Sequence, residues 1–288
     1  MNRTMKLGAA LGRLFVTLGL ATAVAREEVL GTFGTGELLP REVRVHLPPG
    51  GITNDTPLLF AFDGQMMSAW RLSETLAEMG RTGGPVPLVV AIPATADRIE
   101  EYGLAGLPDY LGRGRKAAAF QRMVLEEVLP AVRSRYGVAA TRERTGVFGA
   151  SMGGLSAFDL AWRHPEVFGF AGVFSGSLWW RGDNLDAAAK QASRLAHRQV
   201  RGGALPTFAV RFWFEAGTAD ETDDRDGNGV IDAIQDTTEL MDELRARGWR
   251  DGPDLAYVQV EGGQHNEATW ARALPLFLNW ALPEREKD

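Results

Sequence analysis

A glycine-flanked serine lies between a strand-like run and a helix-like run, and this junction limits what the chain can fold into. The pentapeptide 149–153, Gly-Ala-Ser-Met-Gly, fits the pattern Gly-x-Ser-x-Gly, follows the apolar run 145–148 and precedes the helix-like run 155–162. A sharp turn here lifts the hydroxyl of Ser151 out of a sheet, where a base and a substrate can both reach it. Because the pattern also occurs by chance in a chain with 34 glycines, the flanking elements are what make it informative.

Beyond this junction, strand-like apolar runs alternate with helix-like runs. The run 87–92 is typical of a strand buried on both faces. Apolar residues at helical spacing fill 117–136, where Pro130 predicts a kink or a break. Further strands are predicted at 43–47, 58–62, 145–148, 168–174, 208–214 and 255–260, and further helices at 155–162, 234–247 and 267–282. The alternation predicts one α/β domain over residues 26–288, with a mostly parallel twisted sheet and helices on both faces.

One segment does not fit this alternation. Residues 177–206 are too long for a simple connection between two strands, and 187–201 has the pattern of a polar helix. Ligands of parallel sheets bind at the carboxyl ends of the strands, and this segment begins at such an end. We therefore expect a short insertion beside the site, in a position where it would serve as a lid.

Composition excludes several classes of function. The 288-residue chain has no cysteine, which excludes disulfides, thiolate metal sites and cysteine nucleophiles. Its formal net charge of −6 and the lack of a basic cluster argue against a nucleic-acid partner. No run of the chain is apolar for long enough to predict a membrane span.

The first 25 residues have the pattern of a secretory signal. Arg3, Lys6 and Arg13 precede the uncharged, mostly apolar run 14–24, and small residues at 23–25 provide a cleavage site. The pattern predicts a periplasmic or secreted protein. The alternative is an amphipathic N-terminal helix that stays on the chain, which would leave the protein in the cytoplasm.

A serine nucleophile needs a base, and the chain offers four histidines. His265 follows the predicted strand 255–260 and opens the last helix, so it lies where catalytic groups of parallel sheets gather. His46 falls in an early strand, predicted at a sheet edge, and His164 ends the helix after the serine, where a structural role is expected. His197 falls in the polar insertion, where a surface position is expected. His265 is therefore the predicted base.

The carboxylate that orients this base should follow the strand 208–214, since it comes between serine and histidine in chain order. Asp220 is the first choice in that loop, with Glu221 and Glu215 as alternatives. The oxyanion formed on attack requires backbone N–H donors, and these are predicted at Met152 and Gln65. The alternative for Gln65 is that it follows an ordinary Asp-Gly turn.

The same acidic loop contains a calcium-loop pattern. Oxygen-bearing side chains recur at positions 1, 3, 5 and 9 of that pattern, at Asp224, Asp226, Asn228 and Asp232. Gly229 stands where the pattern needs a turn, but Gln235 replaces the usual bidentate acid. The alternative is a polar, glycine-rich turn. The predicted chemistry needs no cofactor, so a calcium ion here would be structural.

Several short motifs together resemble a known family. They are residues 45–50, 62–65, 98–102, 149–154, 164–169, 175–180 and 262–265. Over 28–282 the chain is similar to the branch of the α/β-hydrolases that includes esterase D, enterochelin esterases and feruloyl esterases. The Ser-Gly-Ser-x-Trp-Trp motif at 175–180 is similar to the enterochelin esterase group in particular. The resemblance implies an α/β-hydrolase fold and a triad of Ser151, Asp220 and His265.

The resemblance also implies a substrate contact for Arg98, which matches an arginine that faces the substrate in siderophore esterases. Its alternative is an ion pair with Glu100 or Glu101. Trp179 and Trp180 follow a strand end and would stack on an aromatic or sugar group, or else fill the core beneath the insertion.

The sequence thus predicts a serine carboxyl-ester hydrolase that acts on a small-molecule ester, of the enterochelin or feruloyl esterase type. Two alternatives stay open at this point. One is an acyltransferase on the same triad, and the other is a non-catalytic binding protein for siderophores or glycans.

Overall fold

Eight strands pair into one sheet within residues 26–283, the part of the chain that this computed structural model describes. In chain order the strands are β1 Arg26–Phe33, β2 Arg41–Leu47, β3 Leu58–Phe62, β4 Leu88–Ile92, β5 Thr145–Ala150, β6 Phe170–Phe174, β7 Arg211–Gly217 and β8 Leu255–Val260. Across the sheet the order is β1-β2-β4-β3-β5-β6-β7-β8. The pairs β1–β2 and β2–β4 are antiparallel and the others are parallel, which confirms the predicted mostly parallel sheet.

The first strand was not predicted. Its sequence, Arg-Glu-Glu-Val-Leu-Gly-Thr-Phe, mixes charged and apolar residues, and its side chains are exposed or half-buried. Such an edge strand lacks the apolar run that reveals a central strand. Because β1 covers β2, His46 lies inside the sheet and not at its edge as expected, and burial lowers the pKa of its imidazole.

The helices cover both faces of the sheet. They are α1 Leu72–Thr82, α2 Arg98–Glu101, α3 Ala117–Arg122, α4 Leu129–Tyr136, α5 Met152–Arg163, α6 Ala187–Ala192, α7 Leu195–Gly202, α8 Asp232–Ala246 and α9 Glu267–Ala281. A wider, π-helical turn at Met123–Val128 joins α3 to α4, just before Pro130. The predicted helix 117–136 is therefore continuous, and the wider turn accommodates a proline that cannot donate a backbone hydrogen bond.

Alternate residues of the central strands pack into two hydrophobic cores, one on each face of the sheet. Leu58, Phe60 and Phe62 of β3 pack on the face that carries α3, α4, α5, α7 and α8. Leu59 and Ala61 point to the opposite face, which α1 and α9 cover. Burial on both faces explains why these strands read as unbroken apolar runs. It also leaves the carboxyl ends of the parallel strands as the edge where polar side chains can converge.

The insertion 177–206 folds into α6 and α7, and its second half is part of the domain. Arg194, at the start of α7, forms a buried ion pair with Asp236 of α8, with 2.5 Å between Nη1 and Oδ1. His197 is buried as well, and its Nε2 donates to the carbonyl oxygen of Asp236 over 2.9 Å. The expected surface position of His197 is therefore wrong. The lid interpretation stays a prediction, and these contacts restrict it to the exposed part around α6.

The predicted secretory signal at 1–25 lies outside the described residues. Between residues 26 and 283, no helix has the length and apolar character needed to cross a membrane.

Candidate active site

Ser151 occupies the turn between β5 and α5, in a backbone conformation that costs free energy. Its φ of 57° and ψ of −125° are strained for a residue with a side chain, at a cost of about 1–3 kcal/mol. Neighbouring strands hold it there, because its N–H donates to the carbonyl oxygen of Phe174 and its carbonyl oxygen accepts from the N–H of Ser177, each over 2.9 Å. Gly149 is required, since a Cβ there would lie 2.7 Å from the carbonyl carbon of Gly153. The predicted strand–turn–helix junction is confirmed.

The hydroxyl of Ser151 meets a second hydroxyl. Its Oγ lies 3.3 Å from the Oγ of Ser177, which is itself buried. Either oxygen can act as the donor. Ser177 was not predicted as a site residue, although it belongs to the Ser-Gly-Ser motif that follows β6.

Asp220 and His265 come together at the ends of β7 and β8. The Nδ1 of His265 lies 3.3 Å from Oδ1 of Asp220, and the side chain of Asp220 is 1% exposed against 42% for the imidazole. The imidazole and the Trp270 ring pack in a T-shaped arrangement, with 5.3 Å between centroids and 83° between planes. With Nδ1 directed at the carboxylate, Nε2 is the nitrogen left to exchange a proton with a hydroxyl.

Among the described residues, Asp220 is the carboxylate that pairs with His265. Glu215 lies fully buried on β7, where burial and then the charge of Asp220 raise the pKa of its carboxyl to about 8. The Glu221 carboxyl has other acids near it. Its burial, and then the negative charges of Asp232 and Asp223, raise its pKa to about 7. The geometry therefore favours Asp220 over both alternatives.

Of the remaining histidines, His164 ends α5, as expected for a structural residue, and its Nδ1 lies 3.2 Å from Oε1 of Glu166.

The predicted oxyanion donors lie at the ends of the adjacent strands β3 and β5. Gln65 sits in a short 3₁₀ turn after β3, and its Oε1 accepts a hydrogen bond from the N–H of Ala94 over 2.9 Å. Gly64 is required beside it, since a Cβ there would lie 2.5 Å from the carbonyl carbon of Ala91. Met152 is the first residue of α5, so its N–H belongs to the helix N-terminus. Their role as donors stays a prediction.

Arg98 forms an ion pair with Asp63 and not with Glu100 or Glu101, the predicted alternatives. Its Nε and Nη2 donate to Oδ1 and Oδ2 of Asp63 over 2.7 and 2.8 Å. Glu100 pairs instead with Arg115, and Glu101 forms a buried pair with Arg41. The side chain of Arg98 is 33% exposed, whereas that of Asp63 is 3% exposed.

The Asp63 carboxylate also touches the serine turn. A Cβ on Gly153 would lie 2.8 Å from Oδ2 of Asp63, so the carboxylate packs directly on this glycine. Asp63, which precedes the Gln65 turn, therefore also packs on the Ser151 turn, and Arg98 pairs with its carboxylate. The sequence did not reveal the pair because its members are far apart in the chain.

The two neighbouring tryptophans have different environments. Trp180 is fully buried, and its indole N–H donates to the carbonyl oxygen of Leu107 over 3.0 Å. It fills the core, so the substrate-stacking interpretation does not hold for Trp180. Trp179 is half-buried, and two guanidinium groups lie near its ring. The Cζ atoms of Arg113 and Arg181 are 5.4 and 5.9 Å from the ring centroid. It lines a cavity of about 350 Å³ that Glu221 also borders.

The carboxylate oxygens of the candidate calcium loop accept hydrogen bonds from neighbouring protein groups. Asp224 accepts from the N–H groups of Asn228 and Gly229. Asp226 accepts from the side-chain amide of Gln235 over 2.8 Å, and the Oδ1 of Asp232 accepts from the N–H of Arg225.

The guanidinium of Arg225 also approaches the Asp232 carboxylate, with 3.3 Å between Nε and Oδ1. Within residues 26–283 no three acids or histidines are grouped as a metal site would need. These contacts give the calcium interpretation no support, and it stays a prediction.

Comparison with known proteins supplies the family. The family model described as "Putative esterase" matches residues 39–280. The chain belongs to this family. The iron(III) enterobactin esterase of Escherichia coli O6:H1 is 27% identical over 240 residues, which cover 81% of this chain and 52% of that protein. The chain thus spans about half the length of the curated relatives it matches.

Solved structures of similar proteins show the same fold. The ferric enterobactin esterase from Salmonella typhimurium superposes with a TM-score of 0.69 at 22% identity, over 89% of this chain and 58% of that one. A siderophore hydrolase from Aspergillus nidulans gives a TM-score of 0.67 at 18% identity, over 91% and 96% of the two chains. The predicted α/β-hydrolase fold is confirmed.

Proposed function

We propose that this member of the esterase family is a serine carboxyl-ester hydrolase that works through an acyl-enzyme. The observation that carries the proposal is the strained turn at Ser151, which lies on the same sheet edge as the Asp220–His265 pair. A strained serine on the sheet edge that also carries an imidazole oriented by a buried carboxylate is the combination of groups that a serine hydrolase uses to activate a hydroxyl.

In the first half of the proposed reaction, Nε2 of His265 takes the proton of Ser151 as Oγ attacks the ester carbonyl carbon. The negative charge that develops on the carbonyl oxygen accepts hydrogen bonds from the N–H groups of Met152 and Gln65. Asp220 stabilises the imidazolium that forms. The imidazolium then protonates the departing alkoxide, so the alcohol leaves and the acyl group stays on Ser151.

Water completes the cycle. His265 takes a proton from the water molecule, whose oxygen attacks the acyl carbon. The tetrahedral intermediate collapses, Ser151 regains its proton and the carboxylic acid is released. In the resting state the hydroxyl of Ser177, 3.3 Å from that of Ser151, can accept the hydrogen bond that the imidazole later takes over.

We further propose that the substrate carries an aromatic group, as in siderophore or feruloyl esters. Relatives described as an enterobactin esterase and a ferulic acid esterase support this class. The half-buried Trp179 supports it too, because Trp179 and Arg181 border a cavity that Glu221, the residue after Asp220, also lines. For Arg98 we propose a second, outward contact with an anionic oxygen, made while Asp63 holds its other side.

A hydrolysis panel tests this proposal. It contains p-nitrophenyl esters, feruloyl and acetyl sugars, and a catecholate siderophore. We expect the wild type to cleave at least one aromatic ester, and Ser151→Ala to lower kcat by about 10³ to 10⁶-fold. Ser134→Ala, an exposed serine on α4, is the matched control and should keep full activity. Equal rates for Ser151→Ala and the wild type would refute the proposal.

We propose a periplasmic or secreted location from the pattern at 1–25. Expression of the full chain in a bacterial host, followed by N-terminal sequencing, tests it. A mature chain that starts near residue 26 in the periplasmic fraction is expected, and an intact N-terminus in the cytoplasm would refute it.

A further inference from the structure

A second carboxyl group lies behind the Asp220–His265 pair. Glu215 of β7 is fully buried, and its Oε2 lies 3.4 Å from the hydroxyl oxygen of Ser175. The same hydroxyl oxygen lies 3.1 Å from Oδ1 of Asp220. One buried serine therefore stands between the triad acid and a carboxyl group to which the reaction described above gives no role.

The hydrogen bonds around Ser175 limit how the charge can be placed. The indole N–H of Trp270 donates to its Oγ over 2.9 Å, so the single hydroxyl proton is directed at one carboxyl or the other. Ser175 is held in this position by the N–H bond that it donates to the carbonyl oxygen of Glu215 over 2.8 Å, despite a strained φ of 42°.

The other oxygens of the two carboxyls, Oε1 of Glu215 and Oδ2 of Asp220, are buried and have no hydrogen-bond partner among the described residues. Two buried carboxyls that share one donor cannot both ionise without a large cost.

Resting on the proposed function, we infer that Glu215 is a positioning residue: it stays protonated so that the negative charge remains on Asp220, where it orients His265. Ser175 then gives its proton to Asp220. When Glu215 ionises, the two carboxylates repel each other and compete for the Ser175 proton. The Asp220–His265 contact loosens and hydrolysis slows.

The groups around Glu215 set its pKa within the pH range in which esterases are assayed. Burial and then the charge of Asp220 raise the pKa of Glu215 to about 8, while the bonds from Ser175 and the positive charge of Arg272 on α9 act in the opposite direction. Tyr257 of β8 also faces the pair, and burial followed by the charges of Glu215 and Asp220 raises the pKa of its phenol. Glu215 is therefore neutral below about pH 8 and charged above it.

The decisive experiment compares pH profiles of kcat/KM for wild type, Glu215→Gln and Glu74→Gln. Glutamine has the shape of a protonated glutamate and cannot ionise. We expect the wild-type profile to fall above about pH 8, by up to about tenfold per pH unit. For Glu215→Gln we expect kcat/KM to stay constant above pH 8, whereas Glu74→Gln, which removes an exposed acid of α1, should show the same fall as the wild type.

If kcat/KM falls in the same way above pH 8 in wild type and in Glu215→Gln, the inference is wrong. The hydrolase proposal would be unaffected, because Ser151→Ala tests it separately. If Glu215→Gln does not fold, the wild-type protein gives the answer. The NMR signal of the His265 imidazole, assigned with a His265→Gln variant, should show an inflection near pH 8. Its absence would also overturn the inference.

Discussion

The two halves of the site differ in the ionisable groups that surround them. On the side of β3 and β5, Ser151 and the Gln65 turn are held by backbone bonds, close glycine contacts and the Asp63–Arg98 pair. On the side of β7 and β8, a backbone bond from Ala219 to Gly263 also joins the two loops, but the Asp220–His265 contact lies beside Glu215, whose pKa is raised to about 8. The first half is a fixed frame, whereas the second depends on where protons lie. Changes to the first should therefore act independently of pH.

Apart from the loss of Ser151 itself, the largest effect should come from the proton-dependent half. Asp220→Asn keeps the shape of the side chain but removes the charge that orients His265. We expect kcat to fall by about 10⁴-fold, as expected for loss of the acid in such a triad. Because the side chain keeps its volume, the midpoint of urea unfolding should hardly change. A variant with near-normal kcat would show that Asp220 is not the triad acid, and Glu221→Gln would then be the variant to examine.

The two adjacent tryptophans should differ in effect, because Trp180 stabilises the core whereas Trp179 is proposed to contact the substrate. Trp180→Ala leaves a cavity in the core and should lower the free energy of unfolding by about 3–5 kcal/mol, measured by urea denaturation. Trp179→Ala removes a half-buried ring and should mainly raise KM for aromatic esters. If the two variants lose the same stability and keep the same KM, the proposed substrate contact of Trp179 is wrong.

A smaller effect is expected in the frame itself. Arg98→Ala leaves the nearly buried Asp63 carboxylate without its partner and frees the Gln65 turn. We expect kcat to fall by about 10²-fold, comparable to the loss of one oxyanion donor, with no change in the shape of the pH profile. Arg115→Ala, which removes an exposed ion pair with Glu100, is the control and should leave kcat unchanged. A pH-dependent loss in Arg98→Ala would contradict the division into two halves.

Calcium should have the smallest effect. The ion would have to displace Arg225 from Asp232 and Gln235 from Asp226, so it would gain little free energy in this loop. We expect melting curves with calcium and with a chelator to differ by less than about 2 °C, which for a domain of this size is below about 1 kcal/mol. A larger increase with calcium that Asp224→Ala abolishes would restore the calcium interpretation.

The sequence predicted the features that depend on local pattern. The Ser151 turn follows from an apolar run, two glycines and a helix, and the position of His265 follows from a strand end and chain order. It missed the features that depend on distant residues. Asp63 and Arg98 meet only because two parallel strands bring their ends together, and His197 is buried only because α7 packs on α8. Trp179 and Trp180 look alike in sequence, and the fold alone distinguishes them.

The central claim is that the Asp220–His265 pair activates Ser151, and covalent labelling tests it most directly. Wild-type protein and Asp220→Asn are treated with a fluorophosphonate, and the modified peptide is identified by mass spectrometry. The account predicts a single adduct on Ser151, formed orders of magnitude more slowly in the variant. An adduct on Ser177, or a wild-type chain that stays unlabelled, would contradict it.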